Sequence, residues 1–373
     1  MELVELETGG FRNLTSAAHT FHAGINIVRG ANGAGKTSLL EAVVVLGNLR
    51  SFRTSLLRTA VLHGDRRFHL SGKIQTPHGL RRLEQVVEVG PPLRRTLLVD
   101  GIQCRVGEYL QAFPVFAITG SDRELVGGGP EERRSIIDRF MFLLRPTFLK
   151  DLRTYRRALR QRNAALTVGA RDAEMAAWEE PLAVAAARVV VGRIHGVGVL
   201  QKQFSNAHEK ISGCCTSDTV LDYRGEPWLA VGMVAAEVEE KYRQRYNETR
   251  ARDRLVGFTV EGPHRHDLCL RAAGRAVRHT LSSGQTKMVA AALRLAMLVQ
   301  VEKERGERIP VIVDDVDSEL DDQAVSRLIG ILGNGRQLFI STTNKGVPVP
   351  SGSSICHIWL EDGACVRQEA ENA

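Results

Sequence analysis

The chain reads as an α/β protein: a P-loop nucleotide-binding domain interrupted by a mainly helical lobe, with no long coiled coil. Three observations predict this. A strand, a glycine-rich loop and a helix follow one another in "GINIVRGANGAGKTSLLEAVVVL" near the N-terminus. A second buried strand, ending in two acids, lies in "IPVIVDDVDSELD" near the C-terminus. Between them, from about residue 145 to 255, the apolar pattern is helical, with charged faces and alanine-rich stripes.

At 373 residues the chain is long enough for two domains, or for one large α/β domain carrying an inserted lobe. The expected division is 1–145 for the N-terminal part of the head, 146–257 for the helical lobe and 258–373 for the C-terminal part of the head. In the first part, "MELVELET" and "FHAGINIVRG" are strand-like and a helix runs from Lys36 to Leu49. "RFHLSGKIQT", "LRRLEQVVEV" and "RRTLLVDGI", separated by "TPHG" and "GPP", predict an antiparallel sheet beside the nucleotide core. The lobe's helical runs are tens of residues at most and are interrupted by "SGCCTSDT". From Phe258 the strand–helix alternation resumes.

Composition narrows the function. Hydrophobic residues make up 43% and charged residues 25%, ordinary for a folded soluble chain. No apolar run approaches the roughly 20 residues that span a bilayer, and the N-terminus carries acids where a secretory signal carries bases. The expected location is the cytoplasm, with no membrane partner. Cys104, Cys214, Cys215, Cys269, Cys356 and Cys365 are scattered without a C-x-x-C pair, so reduced thiols are expected in place of a zinc site or disulfides. The net charge of +7 favours a polyanionic partner, nucleic acid first.

"GANGAGKT" matches G-x-x-x-x-G-K-[ST] at Gly30, Gly35, Lys36 and Thr37, in the strand–loop–helix setting the motif requires. The glycines let successive backbone N–H groups face a phosphate chain, and the helix start adds its positive end. Asn32, Gly33, Ala34 and Ser38 are counted with them as ATP-contacting positions. Lys36 is expected to hold the β- and γ-phosphates and to serve catalysis, and the Thr37 hydroxyl to ligate Mg²⁺. At the end of "VIV", Asp314 is expected to reach Mg²⁺ through water and Asp315 to polarise the attacking water; alternatively the Asp-Asp pair merely starts a loop.

"LSSGQ" at 281–285 resembles the signature motif of ABC-type ATPases, and "SELD" at 318–321 their D-loop, in the family order. "FRNL" at 11–14, "NGAGKTSLLEAV", "RSFRTS" at 50–55, "ELVGGGPEERRSIID" at 124–138 and "GPHRHDL" at 262–268 narrow the resemblance to the RecF family. That family comprises DNA recombination and replication-repair ATPases related to structural-maintenance-of-chromosomes proteins. The resemblance implies an ABC-type ATPase head (lobe I) with a helical lobe II. It also implies an ATP-dependent homodimer that binds duplex, gapped or junction DNA and hydrolyses ATP weakly, stimulated by DNA. With RecO and RecR, such a protein helps load RecA.

The resemblance assigns further residues. Ser282 and Gly284, with Gln285, would face the γ-phosphate of the partner's ATP; a plain helix cap is the other reading of Ser282, and both can hold. Asp321 would carry cross-subunit communication, or cap a helix. Arg12 and Asn13 would meet the adenine or α-phosphate, or form a strand-edge turn. The pattern departs at His266, where the family has Asp, and at "ITGSDREL" (118–125), which keeps Asp122. Asp122 and "STTN" at 341–344 stand nearest to a transporter's Q-loop Gln and switch His, which implies slow hydrolysis.

Arg153, Arg156, Arg157, Arg160 and Arg162 recur at helical spacing and read either as a solvated face or as a track for DNA phosphates. Arg133 and Arg134 read as structural partners of nearby acids, and Trp178 and Trp228 as core. His264 and His266 lack the further ligands a zinc site needs. A transporter ATPase subunit and a non-hydrolysing DNA-binding scaffold are the alternative functions; the absent switch His and the complete P-loop, respectively, count against them.

Overall fold

Alternation along the first strand sets the first sheet. In Glu2–Gly9, Leu6 and Thr8 are buried between more exposed neighbours, the period of two of a sheet with one covered face, and Leu3 joins them across a register irregularity between Leu3 and Glu5. The structure is a computed structural model that describes residues 1–213, 219–272, 274–277, 280–315, 322–342 and 346–372. Two compact units make up the chain: Met1–Arg123, Asn206–Cys215 and Ser282–Ala373 form the first, and Glu124–Ser205 with Thr216–Leu281 the second.

The first unit holds two six-stranded sheets. One is antiparallel, in the order Ala17–Thr20, Glu2–Gly9, Arg67–Thr76, Gly79–Glu88, Arg94–Val99, Ile102–Gln103. It contains the sheet expected between residues 60 and 116. The other runs Ala364–Asn372, Ser354–Glu361, Ile25–Arg29, Leu338–Ser341, Val311–Val313, Phe116–Ile118. Its last five strands are parallel and the first is an antiparallel edge. The helix Lys36–Asn48 packs on both sheets, which explains its nearly unbroken apolar sequence. Leu39, Leu40, Val43, Val45 and Leu46 are all fully buried. Gly72 admits it, since a Cβ there would lie 2.4 Å from Leu46 Cδ2.

The second unit is mainly helical, built from Pro130–Leu144, Phe148–Thr167, most of Asp172–Ser212 and Ala235–Val256. It also contains a three-stranded antiparallel sheet, Arg275–Ala276, Asp267–Ala272, Thr219–Arg224. Helical periodicity gives no sign of that last strand. The units divide at 124 and 281, whereas the sequence placed the lobe at 146–257. Ion pairs explain the difference. Arg133 grips Asp267 through Nε at 2.8 Å and Nη2 at 2.7 Å, and Arg193 grips Asp138 at 2.7 and 3.0 Å. Both "GPEERRSIID" and "GPHRHDL" are thereby tied into the helical unit, and Arg134 donates to the His266 carbonyl at 2.7 Å.

Three further expectations need correction. The helix Asp172–Ser212 contains an 18-residue window apolar enough to cross a membrane, although no such run was expected. Its apolar stretch is broken by Arg188, Arg193 and His195, of which Arg193 is neutralised by Asp138, and 61% of the window is buried within the protein. Arg162 is no candidate for DNA phosphates. It is fully buried, donating to Asp253 at 2.6 Å, Thr259 at 2.9 Å and Glu179 at 3.0 Å. Trp178 is 39% exposed and so stands partly outside the core, whereas Trp228 packs edge-on against Tyr242.

Candidate active site

The P-loop follows directly from the central strand Ile25–Arg29. Gly35 caps the helix Lys36–Asn48 with φ 103° and contributes no side chain. The first turn therefore has no side-chain cap and no acid of its own, the arrangement that binds an anion. Lys36 is mostly buried, and its Nζ donates to the carbonyls of Gly30 at 2.8 Å and Ala31 at 3.0 Å. The Lys36 charge is thus held at the loop's mouth. Ala34 is buried and locked by backbone bonds to Ala31 and Gly363.

Two more strands bring the acids. Val311–Val313 ends at Asp314, whose Oδ1 accepts from Thr37 Oγ1 at 3.2 Å and from Ser341 Oγ at 2.6 Å. Burial raises the Asp314 carboxyl above the usual range, partly offset by those two hydroxyl bonds. Asp315 is exposed, with φ 54°, and its N–H donates to Ser341 Oγ at 2.8 Å. A left-handed backbone at a non-glycine residue costs on the order of 1–3 kcal/mol and concentrates at working sites.

A cleft of about 710 Å³ gathers these groups. Asn32, Gly33, Gly35, Lys36, Thr37, Ser38, Asp314 and Asp315 line it. Arg12 and Asn13 line it as well, but their polar atoms are largely engaged. Arg12 spans Glu41 with Nε at 2.9 Å and Nη2 at 2.7 Å and donates to the Thr59 carbonyl at 2.8 Å. Asn13 accepts from Ser38 at 2.8 Å and donates to the Gly33 carbonyl at 3.0 Å. Asn13 thus braces the loop, and Arg12 ties the helix behind it to the Thr59 segment.

The signature residues lie elsewhere. Ser282 and Gln285 form a reciprocal capping box at the start of the helix Ser283–Arg305: Gln285 Oε1 accepts from Ser282 N at 2.9 Å, and Ser282 Oγ accepts from Gln285 N at 3.3 Å. Ser282 and Gln285 are exposed and Gly284 is half-buried, and none of the three lines the cleft of its own chain. Asp321, and the rest of "SELD", lie outside the described residues, as does Asn344.

Some functional positions had no assigned role in the sequence. Ser341 bridges the two acids, and Glu41 is a fully buried carboxylate that also accepts from Ser51 and Arg53. Arg53 and His63 line the cleft wall; "RSFRTS" was the only signal for the first. Lys287, on the signature helix, is buried and lies in the field of Asp315 and Asp122; burial lowers its ammonium below the usual range while those acids oppose the shift. Asp122 accepts two bonds from Arg294 of the same helix, at 3.2 and 2.8 Å, which ties that helix to the end of the strand Phe116–Ile118.

This geometry has known counterparts. The profile of the RecF/RecN/SMC N terminal domain matches residues 2–362. A DNA replication and repair protein RecF from Anaeromyxobacter sp. (strain Fw109-5) is 34% identical over 98% of this chain and 99% of its own. Its counterpart in Escherichia coli O6:K15:H31 (strain 536 / UPEC) is 32% identical over 91% and 92%. The solved structure of the recombination mediator protein RecF with ATP, in the RecFOR pathway, superposes with a TM-score of 0.88 at 27% identity, covering 99% of this chain and 97% of that one. An Smc head bound to the C-winged helix domain of ScpA is similar in fold alone, with a TM-score of 0.54 at 16% identity over 99% and 97% of the two chains. The fold is an ABC-type ATPase head joined to a mainly helical unit, with no long coiled coil among the described residues.

Proposed function

The chain belongs to the RecF family of DNA replication and repair proteins, and on that premise we propose that ATP closes two copies of it on duplex, gapped or junction DNA and that slow hydrolysis reopens them. One observation carries this reading. The signature helix presents Ser282, Gly284 and Gln285 at a solvent-facing start, outside the cleft of its own chain. A small-residue helix start that faces solvent, with the positive end of its dipole outward, suits the γ-phosphate of an ATP held by a second copy.

Within each cleft the roles follow from chemistry. The uncapped helix start and Lys36 bind the phosphates, Lys36 exchanging its two carbonyl acceptors for phosphate oxygens. Thr37 and Asp314 supply hard oxygen donors, the type Mg²⁺ takes, and the buried Asp314 carboxyl favours neutralisation by a nearby cation. When bound, Mg²⁺ would offset charge on the phosphate oxygens. Asp315, exposed beside Asp314 and held at its N–H by Ser341, would orient a water for attack on the γ-phosphorus and accept its proton. DNA stimulation of this weak activity, and help with RecA loading alongside RecO and RecR, are the family roles the reading carries.

Sizing the protein with ATP, ADP or no nucleotide, each with and without gapped duplex DNA, tests the proposal. Dimers should form with ATP alone and be stabilised by DNA. A monomer under all six conditions overturns it.

A further inference from the structure

We propose that the exposed face of the helix Phe148–Thr167 contacts the phosphate backbone of DNA through Arg153, Arg156, Arg157 and Arg160. The inference rests on the DNA-binding reading above and adds the surface that carries it. The four arginines stand at spacings of three, four and seven residues, so they share one helix face. All four are exposed, whereas Leu152, Tyr155, Ala158 and Arg162 of the same helix are buried. The buried side fixes the helix firmly: Arg162 alone holds Asp253, Glu179 and Thr259.

What distinguishes this face is the lack of counter-charge. None of the four arginines has an ion-pair or hydrogen-bond partner among the described residues. The only acid on the helix, Asp151, is engaged by Arg145 at 3.4 Å and Arg188 at 3.9 Å. The helix Ala235–Val256 of the same unit behaves differently. There Arg243 meets Glu180 and Glu239, Arg245 meets Glu248, Arg250 meets Glu179 and Arg254 meets Asp172, at 2.6 to 2.8 Å. Like charges at helical spacing oppose folding by a few tenths of a kcal/mol per pair. A face that leaves four uncompensated, on a helix otherwise pinned by buried ion pairs, is arranged for an external polyanion.

The dimensions fit a duplex. Arg153 to Arg160 covers roughly 10 Å of helix axis, comparable with about three phosphates along one strand. Guanidinium groups bind phosphate oxygens bidentately, and contacts of this type carry no base selectivity.

The test uses the full chain, a fluorescently labelled 30-base-pair duplex and a slowly hydrolysed ATP analogue, with anisotropy read across a sodium chloride series. Replacing all four arginines by glutamine (R153Q/R156Q/R157Q/R160Q) should weaken binding at least about tenfold near 0.1 M salt and reduce the slope of log affinity against log salt by roughly 3 to 4. The four-lysine variant should retain most of the slope. ATP affinity and ATP-dependent sizing should match the parent for both, since none of the four lines the cleft. If the parent binds the duplex and the glutamine variant binds equally well with an unchanged slope, the proposal fails and an acidic protein segment becomes the better partner for this face. If the parent itself shows no salt-dependent DNA binding, the functional reading fails together with it.

Discussion

Thr37 and Asp314, 277 residues apart in the sequence, meet through a 3.2 Å hydrogen bond. That bond closes the nucleotide cleft, because it joins the first turn of the P-loop helix to the end of the strand Val311–Val313, which lies one strand beyond Leu338–Ser341 from the P-loop strand. Beside it Lys36 keeps its charge on two loop carbonyls. Lys36→Ala should therefore lower ATP affinity about 10- to 100-fold, the worth of one or two charged hydrogen bonds. Titration with a fluorescent ATP analogue measures this; an affinity within twofold of the parent would remove Lys36 from phosphate binding.

Asp315→Asn separates binding from turnover. Asp315 lines the cleft, and its backbone N–H is held by Ser341 Oγ at 2.8 Å. Phosphate release should fall by about 10²- to 10⁴-fold, the range for loss of a positioned general base, with ATP affinity retained. ATP-bound dimers should then accumulate in light scattering. Unchanged turnover without trapped dimers excludes Asp315 from the reaction.

Ser282→Arg tests the signature assignment at an exposed helix start. The bulkier, charged side chain keeps the monomer's cleft intact because Ser282 does not line it. Nucleotide affinity of the monomer should be unchanged while ATP no longer shifts the species on a sizing column. Dimers forming at the parental ATP concentration would refute the cross-subunit role. Loss of the capping bond itself costs only about 1 kcal/mol, measurable separately by thermal unfolding.

The sequence was informative where chemistry demands a fixed local pattern. Gly30, Gly35, Lys36 and Thr37 were legible because phosphate binding needs that spacing next to one strand, and Asp314 because the apolar run "VIV" ends at it. Ser341 and Glu41 were not legible. Their partners, Asp314 and Arg12, are brought to them by strand order and helix packing, which no local pattern records. Arg162 shows the same limit in reverse. It shares its helix with four exposed arginines, and only the acids arriving from two other helices, Glu179 and Asp253, reveal it as interior. The strand Thr219–Arg224 was missed because its pairing partner, Asp267–Ala272, lies beyond an intervening helix.

That buried arginine gives a stability prediction. Arg162→Met removes the guanidinium and leaves Asp253, fully buried, and Glu179, nearly so, without one cationic partner. Breaking a buried pair by deleting one member costs about 3–5 kcal/mol. Arg157→Met on the exposed face should cost less than about 0.5 kcal/mol. Urea midpoints for the two variants should differ accordingly, and equal midpoints would show that the buried network contributes nothing beyond packing.

Acid sensitivity should arise in the same unit. His264 is mostly buried, with Nδ1 against the Tyr155 hydroxyl at 2.6 Å and Nε2 against the Thr259 carbonyl at 3.0 Å. Burial, with Arg265, His266 and Arg134 nearby, pushes its pKa down to about 4, against the hydrogen bond to Thr259. The sign follows from proton binding. The unfolded chain takes up a proton at the ordinary histidine pKa near 6.5, while the folded chain refuses it until about pH 4. The stabilisation is therefore complete above about pH 6.5 and is lost as the pH falls towards 4, at roughly 1.4 kcal/mol per pH unit. Between pH 6.5 and 5, above the range in which ordinary carboxylates titrate, this site should contribute a loss of roughly 2 kcal/mol. His264→Gln gives up the ring's contacts and should be less stable than the parent at pH 7, yet its deficit should shrink by about that amount at pH 5. Urea unfolding at the two pH values measures the gap directly; a deficit that stays constant would place the acid-sensitive proton uptake at other buried histidines, His19 or His208, whose pKa values burial also lowers.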